Sequence, residues 1–78
     1  MDFLESGHTR KRQIERDVPR EAKAYVLGNY HTSRPAPYRG RGTRTIIYIG
    51  EWEGRNLKVY VEEGSRPPRI KTVAWEGD

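Results

Sequence analysis

The 78-residue chain has no cysteine, two histidines, one methionine and one phenylalanine. Without cysteine it can form neither disulfides nor thiolate metal sites, and two histidines alone fall short of a tetrahedral zinc centre. No apolar run approaches the ~20 residues that cross a bilayer. The opening Met-Asp-Phe-Leu-Glu-Ser has no basic region followed by an apolar one, so it does not read as a secretion signal. These absences make a soluble cytoplasmic protein, away from membranes, the expectation. P-loop, GxSxG, HExxH and CxxC patterns are also missing, which removes several nucleotide-binding, hydrolytic and redox classes. No cofactor is expected.

What the chain does have is charge. Hydrophobic and charged residues each make up 33%, a lean supply for a core. At this length only about 60% of the unfolded surface is buried on folding. The net charge of +4 is unevenly spread. Residues 1–50 carry ten Lys/Arg against five Asp/Glu, and residues 51–78 carry five against six. A basic first part favours an acidic partner, with nucleic acid the commonest candidate.

Along the chain, residues 2–5 are a short edge strand or a lead-in. The first helix is predicted at about 8–16, docked through its one aliphatic residue, Ile14. Asp17-Val18-Pro19 ends it and opens a second helix at about 19–28, with Asp17 as N-cap. Ala22, Tyr25, Val26 and Leu27 form the apolar side of that helix, and Gly28-Asn29 stops it. Tyr30 to Arg34 alternates like a strand. Pro35 to Gly42 is a basic loop without regular structure. Thr43 to Trp52 is rich in β-branched and aromatic residues and reads as a strand, with Ile47 and Ile49 on one side and Ile46 and Tyr48 on the other. A turn at Glu53–Asn56 leads to a strand over Leu57–Glu63. There Leu57, Val59 and Val61 point inward, and Lys58, Tyr60 and Glu62 outward. A turn at Gly64–Pro68 precedes the last strand, Arg69–Glu76, read with Ile70, Thr72 and Ala74 on one face. The expected fold is α+β: a helical pair packed on a three- or four-stranded antiparallel sheet, in one domain over residues 1–78.

Three basic residues stand out. His8, Arg12 and Arg16 are spaced by four, and each step of four turns about 40° around a helix, so the three share a face. An imidazole can move a proton near neutral pH, and two guanidiniums can stabilise charge growing on a phosphorane. Such a trio suits metal-independent attack of an RNA 2′-hydroxyl on its own phosphate. Arg39, Arg41 and Arg44 with Tyr38 make a loop suited to tracking a nucleic-acid backbone. Tyr60 and Lys71 could join a stacking platform, with Trp75 either beside them or, as its size favours, in the core. His31 reads as solvated. Glu51 and Glu53 share a strand face but read as solvated glutamates beside a turn rather than metal ligands.

The His8–Arg12–Arg16 pattern followed by Val-x-x-Glu, a helix ending in Val-Leu, and the strand Ile-Lys-Thr-Val-Ala-Trp together resemble a small bacterial family of unknown function. That family is grouped with RelE/ParE- and BrnT-type toxins. Its first motif runs roughly His-Ala-x-x-Arg-x-x-x-Arg-Gly-Ile-Ser. Here Thr9 replaces Ala, Asp17 replaces Gly, Val18 replaces Ile and Pro19 replaces Ser. The resemblance implies a RelE-like fold and, for the toxins proper, an mRNA-cleaving endoribonuclease neutralised by an antitoxin.

Two functions are therefore expected. One is a metal-independent endoribonuclease acting on RNA, ribosome-bound mRNA included, with His8 moving the proton and Arg12 and Arg16 holding the phosphate. The alternative is a non-catalytic nucleic-acid- or protein-binding module. A small core with exposed strand edges also leaves room for a homodimer or an antitoxin partner.

Overall fold

Leu57, Val59 and Val61 alternate with polar neighbours and form an apolar ridge around which the rest assembles. A computed structural model describes residues 3–5, 7–38, 40 and 42–77 of the chain. Its elements are β1 (Leu4–Glu5), α1 (Gly7–Glu15), α2 (Arg20–Asn29), β2 (Thr32–Pro35), β3 (Thr45–Trp52), β4 (Arg55–Glu62) and β5 (Arg69–Trp75). None of the helices is long and apolar enough to cross a membrane.

The fold is α+β with the helices packed on a sheet, but the sheet differs from expectation. It has five strands in the order β1-β5-β4-β3-β2 and is mixed, because β1 runs parallel to β5. With two residues, β1 is too short to carry a periodic signal. It is held by its register with Arg69 and Ile70 and by the Leu4 amide, which donates to the Pro68 carbonyl at 2.8 Å. At the opposite edge, Pro35 closes β2 instead of opening a loop. On an edge strand its missing N–H costs no interior ladder bond. The turn between β3 and β4 is also tighter than expected. Only Glu53 and Gly54 lie in it, both with positive φ (50° and 82°), and Trp52 pairs directly with Arg55. That two-residue geometry matches the twist of the strands it joins.

Two readings of α1 are corrected. Ile14 is 80% exposed and docks nothing; the buried residue of this helix is Thr9. Asp17 caps the end of α1 rather than the start of α2. It takes a left-handed φ of 53°, its amide donates to the Ile14 carbonyl, and the Val18 amide reaches back to the Gln13 carbonyl at 2.9 Å. Asp tolerates this conformation, and the 6→1 and 5→2 bonds satisfy the last carbonyls of the helix. Val18 then turns into the core. Pro19 is the N-cap of α2, with no side-chain bond.

The stripe of α2 on the sheet is Ala22, Lys23, Val26 and Leu27, while Tyr25 is 46% exposed and meets the edge of Trp52. Positions i, i+1, i+4 and i+5 form one face, so Lys23 occupies an apolar position. It survives there because the Glu5 carboxylate bonds its ammonium, with Arg10 and Arg20 at 3.8 and 3.9 Å from the same carboxylate. The core joins Phe3, Val18 and the α2 stripe to Leu57, Val59, Val61, Ile70, Val73 and Trp75. Gly50 lets α2 lie close to β3: a Cβ there would stand 3.2 Å from both Val26 methyls.

β5 departs from simple alternation. Val61 opposes Ile70 but Tyr60 opposes Thr72, so Lys71 is an extra residue. This bulge puts Ile70, Val73 and Trp75 on the helix side, in place of the predicted Ile70, Thr72 and Ala74 set.

Candidate nucleic-acid interface

Cross-strand pairing defines what the face away from the helices carries. One row reads Arg34, Ile47, Tyr60, Thr72 from β2 to β5; the next reads Thr32, Ile49, Lys58, Ala74. Ile47 and Ile49 are only 5% and 6% exposed although they lie outside the helix-side core. Their cross-strand neighbours are the side chains in reach to cover them: the stems of Arg34 and Lys58 and the Tyr60 ring. The result is an apolar floor bordered by two cations, with one half-buried aromatic ring at its centre. All of these residues come from rigid strands, which fixes their spacing.

The sheet end at Thr45 carries mixed charge, with Glu62 opposite Thr45 and Arg69 and Lys71 beside it. The Lys71 ammonium donates to the Thr43 carbonyl at 2.9 Å and to the Thr45 hydroxyl at 3.1 Å. Both acceptors are neutral groups, and the pair of bonds ties the β2–β3 loop to β5. Arg44 lies over the Tyr38 ring, 5.0 Å from its centroid. A concavity of about 460 Å³ opens here, lined by Gly42, Thr43, Glu62, Arg69, Ile70 and Lys71. Arg39 and Arg41, assigned to the same loop from sequence, lie outside the described residues. At the other end of the face, His31 Nε2 sits 3.3 Å from Asn56 Oδ1.

The trio on α1 is arranged differently. Two steps of about 40° accumulate to about 80°, enough to carry the row from solvent round to the sheet. His8 is exposed, and Arg12 and Arg16 are both half-buried but differently partnered. Arg12 pairs with Glu15 at 2.9 Å. The Arg16 guanidinium donates to the Val73 carbonyl, and its own carbonyl accepts the Trp75 indole N–H at 2.7 Å. None of the three lines the concavity at the Thr45 end of the sheet. Trp75, 4% exposed, is core.

Tyr60 and Lys71 thus lie on the open face, Arg44 sits at the end of the sheet against Tyr38, and His8, Arg12 and Arg16 belong to the far layer. Arg34 and Lys58 were not among the sequence-derived site residues. Their period-two alternation was visible in the sequence; the strand order that sets them beside Tyr60 was not. Chemically, the face offers one half-buried aromatic ring for stacking and the positive charge of Arg34 and Lys58. Comparison with known family models, with curated proteins and with solved structures finds no match.

Proposed function

We propose that this chain is an RNA-binding module that lays a single strand across the open face of its sheet and along the β2–β3 loop. The observation that carries the reading is the Arg34–Ile47–Tyr60–Thr72 row, flanked by Lys58, on a face that the two helices leave bare. An aromatic ring on a strand stacks an unpaired base, and neighbouring cations follow the phosphates. The endoribonuclease and toxin reading has less support. It needs His8, Arg12 and Arg16 around one phosphate, and these side chains face three different environments.

The test is anisotropy of a labelled ten-residue oligouridylate, with single-stranded DNA and duplex RNA as comparators, over 50–200 mM salt. Binding at about 1–100 µM in low salt, weakening steeply as salt rises, is expected. Tyr60→Ala should weaken it at least about fivefold, in line with loss of one base stack. Lys58→Ala should lower the salt slope by roughly one. Absence of binding, or indifference to Tyr60→Ala with the circular dichroism unchanged, would sink the proposal. Cleavage products that persist in EDTA and vanish in His8→Ala would replace it with the nuclease.

A further inference from the structure

The helix side of the sheet is not fully covered. α2 stops at Asn29 and the chain leaves in extended form through Tyr30 (φ −64°, ψ 146°). Beyond that point lies a groove of about 460 Å³. Its floor is apolar, made by Leu27, Ile46, Val61 and Pro68, and Tyr48 meets Tyr30 edge-on with centroids 4.7 Å apart. The wall opposite is the β4–β5 turn, where Ser65 Oγ donates to the Glu62 carbonyl at 2.8 Å and accepts the Arg69 amide at 2.9 Å. Glu62 and Glu63 border the groove, and neither forms an ion pair among the described residues.

Two features define what would fit. The first is charge. In a molecule of net charge +4, this is a hollow with an apolar floor edged by the Glu63 carboxylate, which has no ion pair among the described residues and so repels phosphates and attracts a cation with an apolar body. An exposed tyrosine face adds to the attraction for lysine or arginine. The second is the neighbouring edge. Ser33 and Pro35 of β2 pair with Tyr48 and Ile46 of the groove, all four β2 residues are exposed, and no described strand lies beyond β2. An open strand edge beside a hollow favours an extended polypeptide over a small amine.

We infer that this groove docks an extended segment of a partner protein that carries an apolar side chain next to a lysine or arginine. The groove lies on the helix side of the sheet, away from Tyr60 and Lys58, and meets the concavity at the Thr45 end only at Glu62, so the two readings are told apart by which amides each probe shifts.

The test uses the full ¹⁵N-labelled chain and two synthetic probes, acetyl-Lys-Leu-Lys-Leu-Lys-amide and acetyl-Glu-Leu-Glu-Leu-Glu-amide. The basic peptide should shift the amide signals of Tyr30, Ile46, Tyr48 and Gly64, and the acidic one should not. Glu63→Lys should weaken the basic peptide by roughly fivefold, as expected for one reversed surface charge. Tyr30→Ala, at an exposed position that spares the core, should weaken it several-fold. Equal shifts by both peptides, or shifts confined to Lys58 and Tyr60, would overturn the inference. So would groove shifts produced by oligouridylate, which would give the site to nucleic acid, or by concentrating the free chain, which would give it to a second copy.

Discussion

α1 and α2 rest on the same sheet but are held there by different chemistry. α2 is seated by Ala22, Val26 and Leu27 against β3 and β4, with Gly50 making the close approach. α1 buries no aliphatic side chain. It is fastened to β5 by the Thr9 hydroxyl on the Ile70 carbonyl at 2.7 Å, the Arg16 guanidinium on the Val73 carbonyl, and the Trp75 indole on the Arg16 carbonyl. A helix this polar can still dock, provided a few directional bonds replace area. A basic stripe is therefore weak evidence of a ligand site, because one member can be a fastener.

Substitutions can break or sharpen that contrast, and urea unfolding at constant m-value reads them. Val26→Ala strikes the apolar seat of α2 and should cost about 2–3 kcal/mol, the usual range for truncating a fully buried aliphatic. Thr9→Val keeps the shape but removes the bond to Ile70; a loss of about 1–2 kcal/mol is expected. Arg16→Met should cost about 1 kcal/mol, because the lost charge-assisted bond is partly solvent-exposed. His8→Ala should change stability by no more than about 0.5 kcal/mol. If Arg16→Met left stability untouched, the polar-fastener account of α1 would fail and a ligand role for that guanidinium would return.

Much of the architecture was legible because β3 and β4 obey strict alternation. Leu57, Val59 and Val61 turned inward as expected, and Ile47 and Ile49 faced away from Ile46 and Tyr48. What escaped was short or irregular. A two-residue strand has no period, and the bulge at Lys71 reverses the parity of everything after it. Nothing local marks Lys23 for burial, because its partner, Glu5, is 18 residues away in sequence and close only in the fold. Ile14 looked like an anchor because local reading assigns helix docking to aliphatics. The same limit applies to the site. Tyr60 and Lys71 could be named from strand phase, whereas Arg34 and Lys58 needed the neighbour relations of the sheet. The i+4 spacing of His8, Arg12 and Arg16 was real, but its drift around the helix mattered more than its regularity.

The bond between Thr9 and Ile70 spans 61 residues. During synthesis α1 emerges long before its acceptor strand exists, and so does β1. Neither can make its native contacts until β5 has been made, so the docking of both waits on a strand that follows them by about sixty residues.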